Sequence, residues 1–369
     1  MKKIIITLIS ILLLCTSNVF GEENEGYEPP TEPAIETAVV IEASEVEEFK
    51  HTEEVFQQTQ YVKLKITSGK YKNEIFNTEN IILGNYAFDI PVHDGDKIVV
   101  SIEEVNDGSI NVHVSDYQRQ NYILYLCIVF IVLLILIGRS KGLKAIITLS
   151  LTLFAIAKIL LPLILKGINP IPVTIIVSIS IIVITMVLIS GLNNKSFSAI
   201  IGTSGGVLFA GIIAFIIGSQ IQLTGLSSEE ASMLLYIPQK VTLDFKSLLF
   251  AGIIMGALGA VMDIAMSIAS AMEEIYNANN RITRKELFSS GMNVGRDVMG
   301  TMTNTLILAY TGSSIPLLLL FLAYDTPMKK ILNLDIIATE IVRSLAGSIG
   351  LVLTIPLTAL VASILMKRE

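Results

Sequence analysis

Long apolar runs separated by short polar or basic segments fill the last two thirds of the chain. A helix needs roughly 20 predominantly apolar residues to cross a bilayer. Seven runs approach or exceed this length, at about 122–138, 145–165, 171–190, 198–218, 247–272, 298–322 and 336–364. The pattern predicts a mainly α fold, in which residues 121–369 form a polytopic helical membrane bundle.

Residues 59–120 have a different pattern, with short stretches in which every second residue is apolar. Turn signals of the Asp-Gly type separate these stretches at 94–96 and 106–108. The predicted strands are Tyr61–Thr67, Ile81–Leu83, Lys97–Ile102 and Ile110–Val114. We expect a small all-β domain of about five strands, either a barrel or a sandwich.

Two further segments precede this domain. Residues 1–21 have a charged start, an apolar core and a small residue at the end, which predicts a signal peptide; an uncleaved anchor is the alternative. Residues 22–58 are acidic and contain three prolines, at positions 29, 30 and 33. This composition predicts a disordered linker, with metal binding by the acidic run as the alternative.

The composition is that of a membrane protein: 52% of the residues are hydrophobic, 16% are charged, and the mean hydropathy is +0.67. Residues 22–121 hold 21 acidic and 7 basic side chains. With seven spans, the loops on one side hold ten basic residues and those on the other side five. Because basic loops stay in the cytoplasm, we expect an extracytoplasmic β-domain and a cytoplasmic C-terminus in a cell membrane.

The chain offers little for catalysis or nucleic-acid binding. Its three histidines lie at 51, 93 and 113, before the bundle, and both cysteines lie in apolar runs. Gly202–Gly205 fits the G-x-S-G pattern of intramembrane serine proteases, but those use a histidine and none follows His113. We therefore expect no catalytic residues, no metal and no cofactor. A basic patch with interleaved aromatics is also missing, which excludes nucleic acid as a partner.

Small and polar residues recur at steps of three and four on the last three predicted spans, so that each span has one small or polar stripe. Such stripes let helices approach closely. The glycines predicted to pack are Gly252, Gly256, Gly259, Gly300, Gly347 and Gly350. The polar members are Asp263, Ser267, Thr301, Asn304, Thr311, Glu340 and Arg343. We call this predicted arrangement of the three stripes the polar seam.

Four ionisable residues lie within or near the apolar runs: Lys158, Asp263, Glu340 and Arg343. Charged groups at membrane depth are costly and often functional. Glu340 and Arg343 are one helical turn apart and can neutralise each other. Lys158 matches Glu340 best in depth, and its long stem leaves Asp263 as a second partner. These residues form either a transport or proton path or structural ion pairs.

Three stretches resemble the bacterial YibE/F-like membrane proteins. They begin with Gly256-Ala-Leu-Gly-Ala-Val-Met-Asp263, with Gly295-Arg-Asp-Val-Met-Gly300 and with Glu340-Ile-Val-Arg343. The resemblance also covers the β-domain, through Ser68-Gly69 and Gly95-Asp96-Lys97. It implies a multi-pass topology with an extracytoplasmic segment and supplies no catalytic residues.

Two classes of function fit these observations. Buried charges, polar stripes and prolines inside spans favour a transporter or permease component in contact with the lipid bilayer. The alternative is a non-transporting envelope scaffold or sensor that binds a partner through its β-domain. An envelope protein or a second copy of the chain could be that partner. The substrate is left open.

Overall fold

The structure is a computed structural model that describes residues 33–46, 58–85, 88–104, 109–237 and 241–367. The predicted signal peptide, most of the predicted linker and the predicted turn at 106–108 lie outside these residues. The chain divides into two compact units between Leu133 and Leu134. Each unit is described by itself.

The described residues of the first unit form five antiparallel strands, β1 to β5. Their bounds are Ala34–Ala43, Gln58–Ile66, Ile75–Ile82, Lys97–Glu104 and Ile110–Tyr117. They form one sheet in the order β3-β2-β1-β4-β5. The edge strands β3 and β5 also pack together, and the Thr78 hydroxyl donates a hydrogen bond to the Val112 carbonyl. The sheet therefore closes into a small barrel-like domain, which favours the barrel over the sandwich.

Strand β1 corrects the linker prediction. Ala34–Ala43 lies inside the range 22–58 and forms the centre of the sheet, so that prediction is wrong for these residues. Ala38 and Val40 point into the core and are almost fully buried. Because acidic residues occupy neighbouring positions, the period-two pattern of this strand is masked in the sequence.

The barrel core follows the alternation that the sequence predicts. Val62, Leu64 and Ile66 on β2 are buried, and the residues between them are exposed. Gln60 is the polar exception on this face, with only 2% of its surface exposed. Its amide donates to the Val92 carbonyl at 2.6 Å and accepts from the Val92 N–H at 3.1 Å. A buried glutamine with partners of this kind holds the segment before β4 against the sheet.

In the described part of the chain, ten α-helices follow the strands. In chain order, α1 to α10 are Gln120–Ala155, Leu161–Leu165, Pro170–Ser190, Asn194–Gln220, Glu229–Met233, Phe245–Ala278, Arg284–Ser313, Ile315–Ala323, Met328–Ile331 and Asp335–Met366. A π-helical turn, Ile156–Leu160, joins α1 to α2. Helices α3, α4, α6 and α7 begin at side-chain caps, such as Asn193 before α4 and Asp244 before α6.

The predicted count of seven spans is not confirmed. Among the described residues, five helical segments are long and apolar enough to cross a membrane: Gln120–Leu165, α3, α4, α6 and α10. The pair α7 and α8 adds a sixth if it is one span bent by 58°. The count differs because the predicted spans 122–138 and 145–165 belong to one helical segment of 46 residues.

That segment has a break at Arg139, where φ is 47° and ψ is -126°, far from helical values. Gly142 lies so close to the Leu134 backbone carbonyl that a β-carbon there would collide with it. Residues eight apart in a continuous helix are separated by about 12 Å along the axis. The chain therefore turns sharply between Leu134 and Gly142.

Helices α4 and α10 form the centre of the second unit and lie antiparallel along their whole length. At one end, the Asn194 amide donates to the Leu365 carbonyl at 2.7 Å. In the middle, Gly206 lies against Gly350. At the other end, Thr224, just beyond α4, donates through its hydroxyl to Asp335 at 2.6 Å. Helices α6 and α7 pack against the same α10.

Three of the prolines inside predicted spans, Pro162, Pro316 and Pro356, have different effects. Pro162 follows the π-helical turn directly, and Pro316 lies at the start of α8, after the 58° bend. Pro356 lies inside α10, which continues through it. Of these three prolines, only Pro316 lies at a break, because the segment Gln120–Leu165 continues through Pro162 and α10 continues through Pro356.

Candidate functional site

The predicted stripe on α6 faces away from the bundle. Gly252, Gly256, Gly259, Asp263 and Ser267 are all exposed. The buried face of α6 lies opposite and repeats every seven residues, at Ala251, Leu258, Ala265 and Met272. The stripe is therefore a face of the helix, as predicted. Apart from the contact of Tyr310 with Gly256, the packing of α6 uses the other side.

Close packing occurs at only some of the predicted glycines. A β-carbon at Gly252, Gly259 or Gly300 would meet nothing within 4 Å, so the packing prediction is wrong for these three. A β-carbon at Gly350 would lie 2.6 Å from the carbonyl oxygen of Gly206, and one at Gly347 would lie 3.0 Å from the Leu306 side chain.

Lys158 does not pair with either predicted partner. It lies in the π-helical turn with its side chain exposed, and it forms no ion pair among the described residues. Glu340 instead pairs with Arg343, through a hydrogen bond from Nη1 to Oε1. Of the pairings that the sequence allows, the structure contains the one within a single helical turn.

The bend between α7 and α8 forms, with α9 and α10, an open cavity of about 810 Å³. We call it the α8 cavity. Its walls are mainly leucine, isoleucine and phenylalanine side chains. The polar groups in its lining are Tyr310, Thr311, Ser314, Asp325, Thr326, Glu340 and Ser344.

Glu340 is the half-buried carboxylate of this lining, with 22% of its side chain exposed. Its Oε1 accepts from Arg343, but its Oε2 is buried and has no hydrogen-bond partner in the part of the chain that the structure describes. The Arg343 guanidinium also lies 5.9 Å from the centre of the Tyr310 ring. The α8 cavity thus borders a cluster of carboxylate, guanidinium and phenol groups.

Tyr310 also explains the glycine at position 256. Its hydroxyl lies where a β-carbon of Gly256 would be, so this glycine provides space for a side chain from α7. Tyr310 is not among the residues predicted from the sequence, although it lies on the polar stretch that leads to Pro316. An aromatic hydroxyl six residues before a helix-breaking proline is the signal that could have identified it.

The α8 cavity therefore brings together part of the predicted seam. Glu340 and Thr311 line it, and Arg343 pairs with Glu340 beside it. Thr301 and Asn304 are exposed elsewhere on α7, and the Thr301 hydroxyl donates to the Val298 carbonyl of its own helix. The remaining predicted members, Lys158, Asp263 and Ser267, do not line it.

The β-barrel has a second concave surface, an open groove of about 620 Å³ across β1, β2 and β3. Its polar and aromatic lining comprises Glu42, Ser44, Tyr61, Lys63, Asn77, Thr78 and Glu79. Tyr61 is 63% exposed in this groove. An exposed aromatic ring flanked by charged and amide groups is typical of a binding surface.

Two family models match the chain. The model described as YibE/F-like protein matches residues 126–368, and the model described as YibE/F family N-terminal domain matches residues 34–117. The second match begins at the first residue of β1. No curated protein and no solved structure matches the chain.

Proposed function

The chain belongs to the YibE/F-like family, and we propose that it is a transporter or permease component of the cell membrane. The observation that carries this proposal is the α8 cavity, which lies at a broken helix and borders the Glu340–Arg343 pair. We place the transport path between α6, α7 and α10, where Tyr310 reaches from α7 towards Gly256.

Membrane physics supports this assignment. Broken helices leave backbone groups without intrahelical partners, and at membrane depth such groups are tolerated where they line a cavity or are buried in protein. Many secondary transporters bind their substrates at discontinuous helices of this kind. An ionisable pair beside the break adds the polar contacts that a substrate needs.

The break at Arg139 supports a proposal of seven spans. A helical segment of 46 residues would be about 69 Å long if straight, while the hydrocarbon core is about 30 Å thick. Two spans joined by a turn at Arg139 fit that thickness, and Lys141 and Lys144 follow the turn. We propose that this turn and the C-terminus are cytoplasmic and that the β-barrel is extracytoplasmic, after removal of residues 1–21.

Flux measurements test the transport proposal. The full chain is reconstituted into proteoliposomes, and currents on solid-supported membranes are recorded after concentration steps of protons, sodium, potassium, phosphate and methylammonium. We expect a current for at least one of these, and we expect Glu340→Gln to abolish it. Glu273→Gln is the matched control, because Glu273 also forms an ion pair, with Lys195 at 2.6 Å, and does not line the α8 cavity.

No current with any of these solutes would count against transport, and so would equal currents from the wild-type and Glu340→Gln proteins. Thermal unfolding of both variants in the same lipid identifies a loss of current that comes from misfolding.

The groove on the β-barrel favours a second candidate function, an envelope scaffold or sensor without transport. Photo-crosslinking from position 61, in the groove, compared with position 88 tests it, because Tyr61 and Phe88 are both exposed aromatic residues and only Tyr61 lines the groove. A scaffold would give a discrete adduct from position 61 alone. Equal adducts from both positions, or none, would remove this candidate.

A further inference from the structure

We propose that the α8 cavity binds an amphipathic amine, with its ammonium head at Glu340 and its hydrocarbon body against the wall formed by α8 and α10. This inference rests on the proposed function and names the class of its ligand. It is drawn from three independent properties of the α8 cavity: an unpartnered carboxylate oxygen, the sign of the charges in the lining, and the apolar character of the wall.

The first property is the carboxylate oxygen Oε2 of Glu340. It is buried and accepts no hydrogen bond in the described part of the chain, while Oε1 accepts from Arg343. Burying a carboxylate oxygen without a donor is costly. Glu340 lines the α8 cavity, so a rotation of its carboxyl group would turn Oε2 towards an occupant. An ammonium group there would supply both an N–H donor and the opposite charge.

The second property is the sign of the charge. The lining of the α8 cavity contains two carboxylates, Glu340 and Asp325, and no lysine, arginine or histidine. The Arg343 guanidinium does not belong to the lining and is held by Oε1 of Glu340. An anionic head group would therefore meet two carboxylates without a facing cation, whereas a cationic head is attracted by both.

The third property is the wall. Leu318, Phe321 and Leu322 from α8 face Ile337, Ile341 and Leu345 from α10 across the α8 cavity. Hydrocarbon placed against this wall is removed from water, which favours binding of an apolar body. A small hydrophilic cation such as potassium would leave this surface without an occupant. The wall therefore selects an amine that carries an alkyl or aromatic body.

Such an amine has two sources, a membrane lipid with an ammonium head group or a free amphipathic amine. The shared chemistry is an N–H-bearing ammonium attached to hydrocarbon. Lipid composition separates the sources. Nanodiscs made of phosphatidylcholine and phosphatidylglycerol contain no N–H ammonium group, whereas phosphatidylethanolamine does.

The test is isothermal titration of the full chain in nanodiscs of phosphatidylcholine and phosphatidylglycerol, with empty nanodiscs as the blank. The three probes share one chain: octylammonium, octyltrimethylammonium and octanoate. We expect octylammonium to bind in excess of the blank. We expect octyltrimethylammonium, which has no N–H donor, to bind at least about tenfold more weakly, and octanoate not to bind.

Two variants locate the site. Glu340→Gln removes the charge and should weaken octylammonium binding at least about tenfold, whereas Glu273→Gln should leave it unchanged. Leu318→Trp fills the α8 cavity and keeps the Glu340–Arg343 pair, so it remains informative if Glu340→Gln does not fold. We expect Leu318→Trp to abolish octylammonium binding.

Weaker binding of octylammonium in nanodiscs that contain phosphatidylethanolamine would support the same site with a lipid as its natural occupant. Equal affinity in both lipids would support a free amine. Absence of octylammonium binding, equal binding of octanoate, or unchanged binding by Leu318→Trp would overturn the proposal. Amine binding without any flux would support the ligand assignment and contradict the transport proposal. Flux of another solute without amine binding would support transport and contradict the ligand assignment.

Discussion

Gly206 and Gly350 lie backbone to backbone across the interface of α4 and α10. A β-carbon on Gly350 would lie 2.6 Å from the carbonyl oxygen of Gly206, and one on Gly206 would lie 2.8 Å from the carbonyl oxygen of Gly350. This reciprocal contact lets the two helices approach more closely than any other residue type would allow.

Gly350→Ala should destabilise the bundle by about 1–3 kcal/mol, because its new methyl group overlaps a backbone atom that cannot move without shifting a helix. Thermal unfolding in nanodiscs measures this. Gly259→Ala is the matched control, because its β-carbon meets nothing within 4 Å and the change removes a glycine from a helix interior. A destabilisation of similar size in both variants would contradict the assigned interface.

Gln60→Leu should destabilise the β-barrel by about 1–3 kcal/mol, because the replacement leaves buried groups of Val92 without partners. Asn80 also donates to Gln60, at 3.2 Å, and would lose that acceptor. Chemical denaturation followed by the circular dichroism of the strands reports the change. Thr59→Val alters the exposed neighbour on the same strand and should have little effect; a Gln60→Leu protein as stable as this control would show that the network is dispensable.

Glu104 should titrate below the usual range of a glutamate. Hydrogen bonds from Lys70 at 2.7 Å and Tyr71 at 2.6 Å lower the pKa of its carboxyl, and the bond from Lys70 is the larger cause. A lowered pKa in the folded state stabilises the barrel above the pKa of the unfolded chain. This stabilisation is lost as the pH falls through the folded pKa.

Carbon-13 NMR of the Glu104 carboxyl group tests this. Lys70→Met should raise the pKa of Glu104 more than Tyr71→Phe does, and Lys72→Met, at an exposed lysine two residues away, should not change it. The prediction fails if the three variants give the same pKa for Glu104.

Asp263→Asn and Lys158→Met should leave any flux through the protein unchanged, because neither residue lines the α8 cavity. Glu340→Gln, measured on the same proteoliposomes, should abolish it. If Asp263→Asn abolishes flux and Glu340→Gln does not, the path follows the exposed face of α6 instead.

The proposed turn at Arg139 should be cytoplasmic. In a chain with Cys15 and Cys127 replaced by serine, a cysteine at position 141 should react with a membrane-impermeant maleimide only after the cells are opened. A cysteine at position 326, between α8 and α9, should react in intact cells. If both positions are labelled from the same side, the chain crosses the membrane an even number of times between them. That result would contradict the proposed topology, which has five crossings there.

The sequence predicts the strands well where one face is apolar and the other polar, as in Tyr61–Thr67 and Ile110–Val114. It misses β1 because Glu36 and Glu42 interrupt the apolar pattern, although Ala38 and Val40 between them are buried. Only the partner strands, which are far apart in sequence, make that strand the centre of the sheet.

In the bundle, periodicity finds the stripes but not the direction in which they face. Apart from Asp263, the residues from Gly252 to Ser267 are apolar or small on every face of α6. Their pattern therefore does not reveal that the side opposite the stripe carries the buried residues. Prediction of the candidate site from the sequence is limited in the same way. Glu340 and Arg343 are identified by their spacing, but Tyr310 joins them only because α7 lies beside α10 and α6.

The antiparallel pairing of α4 and α10 limits how these helices can change length during evolution. One residue inserted near Gly206 would rotate the rest of α4 by about 100° and turn its small residues away from α10. Seven inserted residues would rotate it by only about 20° and preserve the contact face. Relatives that keep this interface should therefore differ here by whole heptads, while the loops absorb insertions of any length.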